Sequence, residues 1–342
     1  MRKIRVLVVE DSLLFRELLV SGLNQDNALE VVATASDPFE ARDKIIEYKP
    51  DVITLDIELP KMSGLEFLRK LMPQYPMPVV VISALSEKVF DAMKAGAVEF
   101  VAKPKVTDRS QLQAFLASEL PVKIKIASMA KVSRYKKPLP INNSQSIKGD
   151  NDSRIIAIGA STGGTEAIAE VIRGFSPDFP GTVVVQHMPQ GFTEMYARRL
   201  DNQSRVRVKE AQSGDMVEKG LVLIAPGGDE HMRVKNINGR YQVFLQKGEK
   251  VNGHCPSVDV LFNSVAQSAG DKAIGIILTG MGGDGAKGLK AMRNTGAMTI
   301  GQDESTCIVY GMPKIAYDIG AVMYQDKLQD ISKRTYSLLN QK

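Results

Sequence analysis

Residues 4–23 read IRVLVVEDSLLFRELLVSGL. A short apolar run, Ile4–Val9, ends on two acids, and an amphipathic stretch, Ser12–Leu23, follows at helical spacing. The alternation then continues. Strand-like runs at Val31–Ala33, Val52–Leu55, Val79–Ile82 and Phe100–Ala102 are separated by helical patterns at Pro38–Tyr48, Gly64–Met72 and Lys88–Ala95. A last amphipathic run, Gln111–Leu120, closes the series. Strands alternating with helices predict a doubly wound parallel α/β sheet, whose ligands gather at the carboxyl ends of its strands.

The chain has 342 residues, which suggests two domains at roughly 100–200 residues each. From Pro121 to Asp152 the pattern dissolves into Lys, Ser, Pro and Asn, the composition of a flexible linker. Order resumes at Arg154–Gly159. Further strand candidates are Thr182–Gln186, Val222–Ala225, Tyr241–Leu245, Ala273–Leu278 and Ala297–Ile300, and the helical runs are Thr165–Ile172, Val258–Ser268 and Ala286–Thr295. The expected division is a doubly wound domain over 1–120, a basic linker over 121–152 and a second doubly wound α/β domain over 153–342.

A net charge of +5 and a pI near 9.0 would ordinarily suggest nucleic acid. The charge is not spread evenly. Residues 1–120 carry a net −3, residues 121–149 a net +7 and residues 150–342 a net +1. The basic excess belongs to the linker, so no nucleic-acid partner is expected. Two cysteines, Cys255 and Cys307, make no disulfide framework and fit a reducing cytoplasm. Glu10 and Asp11 cut the first apolar run too short for a secretory leader, and no apolar stretch is long enough to insert in a membrane.

Three carboxylates fall at expected strand ends: Glu10 and Asp11 after the first strand, Asp56 after the third. Crowded carboxylates repel one another unless a cation sits among them, and hard oxygen donors suit Mg²⁺. Ser83 ends the fourth strand and Lys103 the fifth, before Pro104. An aspartate nucleophile beside Mg²⁺, with a lysine to neutralise a phosphoryl oxygen, can accept a phosphoryl group. As isolated residues these acids would read as solvated strand ends, but their ordered placement with a hydroxyl and a lysine argues for a site.

The second domain opens RIIAIGASTGG, in which Gly159-Ala160-Ser161-Thr162-Gly163 forms a G-x-S-x-G pattern between a strand and a helix. Such a turn exposes a serine hydroxyl near a helix N-terminus. A glycine-rich phosphate loop is the rival, although the GxGxxG spacing is absent and the next strand ends in Gln186-His187 rather than an acid. The chain holds three histidines. His187 follows a strand on the same rim as Ser161, His254 is the second choice, and His231 lies in the loop-like GGDEHMRV. Asp284, in a glycine-rich loop after another strand, is the best-placed orienting acid, ahead of Asp303 and Asp229. The order Ser161…His187…Asp284 differs from the Ser…Asp…His order of α/β-hydrolases.

The first domain resembles two-component receiver domains in VVEDS, DVITLDIELPKMSG, VVVISAL and FVAKP. That resemblance implies a flavodoxin-like sheet, with Asp56 as the phosphorylated residue. It also implies that Glu10, Asp11 and Asp56 hold Mg²⁺, and that Ser83 and Lys103 sense the phosphoryl group. IAIGASTGGTEAI, QHMPQGFT, IAPGGDEHM, HCPSVDVLF and ILTGMGGDGAKG resemble the chemotaxis protein-glutamate methylesterases, usually called CheB. In that family's terms Ser161 is the nucleophile, His187 the base and Asp284 its orienter, with backbone amides near Thr162 and Met281 as the oxyanion hole and no cofactor in the esterase site. The resemblance further implies methyl-accepting chemoreceptors as substrates, glutamine deamidation at the same serine and a chemotaxis histidine kinase as phosphodonor. The expected enzyme is a cytoplasmic monomer, inhibited by its receiver until Asp56 is phosphorylated.

Two features depart from the family. Ser83–Gly96 is about one helical turn shorter than in esterase receivers, and Cys255 stands where an arginine precedes PSVD. Other readings are weaker. A DNA-binding output domain would need a compact basic helical region, whereas residues 150–342 are strand-rich and nearly neutral. A silent scaffold has against it that all three triad positions are occupied.

Overall fold

The computed structural model describes residues 2–84, 86–105, 107–132 and 153–341. The chain divides into two compact units, Met1–Pro138 and Leu139–Lys342.

In the first unit, β1 (Ile4–Val9), α1 (Leu13–Leu23), β2 (Leu29–Ala35), α2 (Pro38–Tyr48), β3 (Val52–Asp56), α3 (Gly64–Leu71), β4 (Val79–Ser83), α4 (Lys88–Lys94) and β5 (Glu99–Ala102) alternate strictly. The first three helices start where the sequence supplies acceptors for orphan amides. The Ser12 hydroxyl accepts from Phe15 N, Asp37 from Phe39 N and Glu40 N with Pro38 in the first turn, and Ser63 from Glu66 N. The strands run parallel in the order β2-β1-β3-β4-β5, and β3 and β4 are buried along their whole length. This order reverses direction between β1 and β3, which opens a crevice above their carboxyl ends.

The linker does not begin where the composition changes. After α5 (Arg109–Ala114) a π-helical turn, Phe115–Glu119, leads directly into α6 (Leu120–Ser128), so the helix passes through Pro121. Proline normally ends a helix because it lacks an amide proton and crowds the preceding turn. Here the wider π turn immediately before it relieves that conflict. Tertiary contacts hold the extension: Leu120, Ile124 and Ala127 are buried, Lys123 pairs with Glu99 at 3.0 Å and Lys125 with Asp26 at 2.5 Å. Two lysines counted as linker charge are thus ion-paired surface of the first unit. Residues 133–152 of the expected linker lie outside the described residues.

The second unit carries β6 (Ile155–Ala160), α7 (Gly164–Arg173), β7 (Thr182–Gln186), α8 (Phe192–Gln203), β8 (Arg207–Glu210) and β9 (Leu221–Ile224). There follow β10 (Glu230–Ile237), β11 (Arg240–Lys247), α9 (Val258–Ala269), β12 (Ala273–Ile277), α10 (Ala286–Asn294), β13 (Met298–Gln302), α11 (Met312–Asp318), β14 (Tyr324–Asp326) and α12 (Leu328–Leu339). Seven strands make a parallel sheet in the order β14-β13-β12-β6-β7-β9-β8. The first strand, β6, is therefore internal, with β7 on one side and β12 on the other. That is this unit's own switch point. Separately, β10 and β11 form an antiparallel hairpin, closed at Asn238-Gly239 with positive φ at both residues. Met232, Val234, Tyr241 and Val243 of the hairpin join Leu261 and Val265 of α9 in one buried core.

Candidate active site

At the switch point of the first unit, Glu10 and Asp11 leave β1 and Asp56 ends β3. One carboxylate oxygen from each lies within 4.8 Å of the others. Glu10 and Asp56 are buried and Asp11 is exposed. Lys103, just past β5, donates from Nζ to Glu10 at 2.8 and 3.0 Å and also pairs with Asp56. Burial pushes the Glu10 carboxyl up to about 7, and the neighbouring Asp56 adds to this against the pull of Lys103. Burial disfavours the Lys103 charge, yet Asp56 and Glu10 together hold its pKa above the ordinary lysine value. Ser83, buried at the end of β4, accepts the Lys103 amide on its carbonyl at 2.7 Å. Three carboxylates facing one ammonium leave an acidic excess of oxygen donors, which fits a hard divalent cation such as Mg²⁺.

In the second unit the turn after β6 is forced by its glycines. A Cβ on Gly159 would lie 2.1 Å from Val258 Cγ1, and Gly163 has φ +76°. Ser161 sits between them, its amide donating to Thr279 O at 3.0 Å and its carbonyl accepting from Gly164 N at 2.7 Å. The neighbouring strand delivers His187 to the same rim: Ala160 pairs with Gln186, and His187 N donates to Ala160 O at 3.2 Å. The buried Gln186 amide then bridges the two, donating to Ser161 O at 2.9 Å and His187 O at 3.2 Å.

Asp284 arrives from the other side, on the loop after β12. Its Oδ2 lies 2.9 Å from His187 Nε2. Four further donors converge on the carboxylate: Asn252 Nδ2 (2.9 Å), Ser257 Oγ (2.7 Å) and the amides of Val258 (2.7 Å) and Asp259 (3.1 Å). Ser257 caps α9, so the acid is seated on a helix N-terminus. Burial alone would raise this carboxyl. The hydrogen bonds from His187, Asn252 and Ser257 more than reverse that and hold it well below the usual carboxylate range.

An acid with a depressed folded pKa stabilises the fold above its unfolded pKa, and that contribution is lost only as pH falls through the folded value. Asp284 should therefore keep its charge between about pH 8 and pH 4. The carboxyl carbon of Asp284, followed by NMR over that range, is expected not to titrate. A midpoint inside the window would contradict the seat described above.

Because an ionised carboxylate only accepts, His187 Nε2 must donate to it. Nδ1 is then the basic nitrogen. It is buried with no hydrogen-bond partner among the described residues. Gly280 and Met281 follow Thr279 close beside the serine, since a Cβ on Gly280 would lie 2.7 Å from Ser161 Cβ.

A family model described as CheB methylesterase matches residues 156–335, and one described as response regulator receiver domain matches residues 6–116. The chain belongs to the CheB methylesterase family. A relative from Syntrophomonas wolfei, named protein-glutamate methylesterase/protein-glutamine glutaminase 2, is 60% identical over 344 residues, covering 100% of this chain and 99% of that protein. One from Syntrophotalea carbinolica, named protein-glutamate methylesterase/protein-glutamine glutaminase, is 48% identical, covering 100% of this chain and 99% of that protein. The crystal structure of the Thermotoga maritima CheB methylesterase catalytic domain is 41% identical over 54% of this chain and 98% of that domain, with a TM-score of 0.53.

In this CheB chain the alternative site residues resolve individually. His231 is not in a loop. It lies on β10, buried, with Nε2 2.8 Å from Glu249 O and Nδ1 accepting from Ser257 N at 3.2 Å, which satisfies both ring nitrogens. The glycines before it hid a strand whose alternation is plain from Met232 to Val234. Asp229 is a surface partner of Lys247, and Asp303 caps a short 3₁₀ turn. His254 does reach the site, with its ring stacked on that of His187. Cys255 is partly buried, which raises its thiol pKa above the ordinary value. The short Ser83–Gly96 segment yields a seven-residue α4 with no side-chain cap. Among the described residues no helix is long and apolar enough to cross a membrane.

Proposed function

We propose that this chain is a phosphorylation-regulated protein-glutamate methylesterase acting on methyl-accepting chemoreceptors, with a second activity as a glutamine deamidase. The observation that carries it is the His187 imidazole, with Nε2 on a five-donor aspartate and a buried Nδ1 without another partner, beside the tight turn of Ser161. In this reading Nδ1 takes the Ser161 proton as the hydroxyl oxygen attacks a glutamyl ester carbonyl. The backbone amides of Thr162 and Met281 meet the developing oxyanion, an effect commonly worth about 3–4 kcal/mol per donor. His187 returns the proton to the leaving methanol. Water, deprotonated by the same nitrogen, then cleaves the acyl-serine and releases glutamate. With a glutamine side chain the leaving group is ammonia, and the product is again glutamate. This chemistry uses side chains and amides alone, in a monomeric cytoplasmic enzyme.

The receiver supplies the control. Asp56 accepts the phosphoryl group from a chemotaxis histidine kinase. Glu10, Asp11 and Asp56 would hold Mg²⁺, which neutralises charge on the transferring group, while Ser83 and Lys103 contact the acquired oxygens. The new charge shifts the population away from an inhibited arrangement of the chain. Methanol release from methylated chemoreceptor membranes should rise when a small phosphodonor and Mg²⁺ are added. Asp56→Asn should remove that stimulation, and stimulation that survives the substitution would overturn the switch.

A further inference from the structure

The turn Val251-Asn252-Gly253-His254 takes no proton in the triad mechanism, yet Asn252, at an inner position, and His254, at its closing position, both touch the triad. Val251 N donates to His254 O and His254 N to Val251 O, each at 3.0 Å, closing a two-residue hairpin. Asn252 and Gly253 have φ of +53° and +84°, the pair of left-handed conformations that defines a type I′ turn and that Asn-Gly adopts most readily. From this turn Asn252 Nδ2 donates to Asp284 Oδ1 at 2.9 Å and to Asp259 Oδ2 at 2.8 Å. The His254 ring lies parallel to that of His187, with 3.6 Å between centroids and 10° between planes.

We infer that the Asn252-Gly253 turn is a clasp that positions both the acid and the base of the triad. Its two arms do different work. An imidazole held through one nitrogen can still tilt about the hydrogen bond, and a parallel ring packed on its face removes that freedom. His254 thereby fixes the direction of the His187 Nδ1 lone pair. Asn252 acts on the carboxylates. Asp259 is buried beside Asp284, and both burial and the charge of Asp284 raise its carboxyl pKa. A single amide donating to both keeps Asp284 Oδ1 in register with its remaining donors. His254 and Asn252 are therefore positioning residues, acting through His187 and Asp284.

The inference rests on the triad reading above, and its test uses the full-length chain with two independent readouts. The first is kcat and KM for methanol release. His254→Ala should lower kcat by about 10–100-fold with KM within about twofold, the range of losses when an oriented catalytic group is loosened. His254→Phe keeps a flat ring over His187 and should recover most of that loss. Asn252→Asp keeps the shape and the tolerance for left-handed backbone but points an oxygen at two carboxylates. It should cost about 100-fold. Asn252→Gly keeps the turn without the bridge, and should cost about 10-fold.

The second readout is the His187 side-chain NMR signature. A downfield Nε2 proton shared with Asp284 is expected in the wild type and in His254→Phe, and it should broaden or move upfield in His254→Ala and Asn252→Asp. This readout needs no substrate. A wild type that releases no methanol would overturn the esterase reading while leaving the clasp testable by the imidazole signal. The clasp is overturned if His254→Ala and Asn252→Asp both keep kcat within twofold and leave that signal in place. It is equally overturned if His254→Phe is as slow as His254→Ala.

Discussion

Replacing Ser161 with alanine is expected to cut methanol release by about 10⁴-fold or more, as loss of a serine nucleophile does in other triad enzymes. The structure makes this a clean experiment. Only the hydroxyl oxygen is removed, and no hydrogen bond on which the turn depends goes with it. Ser161 N still donates to Thr279 O, its carbonyl still accepts from Gly164 N and Gln186 Nε2, and the flanking glycines are untouched. Thermal unfolding should therefore stay within a few degrees of the wild type while activity disappears. Release that persists in the alanine variant would sink the assignment of the nucleophile.

Asp284→Asn should be nearly as damaging, and for two reasons. An asparagine has one acceptor oxygen and one donor amide where Asp284 has two acceptor oxygens. Placing the amide at the Oδ2 position sets it against Val258 N and His187 Nε2. His187 could respond only by moving its proton to Nδ1, which destroys the base. Placing it at the Oδ1 position sets it against Asp259 N, Ser257 Oγ and Asn252 Nδ2. Either way a backbone amide of the α9 N-terminus loses its acceptor. The expected outcome is a fall in kcat of about 10⁴-fold together with a loss of about 1–3 kcal/mol in stability. Denaturant melts and methanol release, run on the same preparation, separate the two effects. A variant that melts like the wild type would show that the carboxylate does not anchor the helix.

Much of this was legible in the sequence because the deciding residues lie where strands end. Alternation of valine-rich runs with amphipathic helices marks the carboxyl ends of β1, β3, β6, β7 and β12, and the acids, serine and histidine stand there. Pro38–Tyr48 and Thr182–Gln186 are helix and strand with the bounds that their pattern predicts. The failures have local causes. A π turn carries α6 through Pro121, which composition alone reads as a stop. The strand β10 follows Gly227-Gly228-Asp229 and looks like loop, although the Asn238-Gly239 pair after it is a hairpin signal. Polar short strands such as β8 and β14 offer too little apolar alternation to be read, whereas α8 carries Phe192, Tyr196 and Leu200 at helical spacing among many polar residues. The contacts of Asn252, Ser257 and Gln186 depend on tertiary placement. Of these only Asn252 had a signal, the Asn-Gly dipeptide itself.

The position of β6 has a consequence for how the enzyme is made. This strand emerges early in its domain and leads into Ser161, the proposed nucleophile, with His187 close behind it. Its second neighbour, β12, is built only from Ala273–Ile277, and Asp284, the proposed orienting acid, is 97 residues beyond His187. Until that late segment inserts, one edge of β6 has no partner and the base has no acid. Such long-range pairing is slow to form and leaves strand edges open to other chains during synthesis. It also means that a partly synthesised or truncated chain presents the serine turn without a working hydrolase.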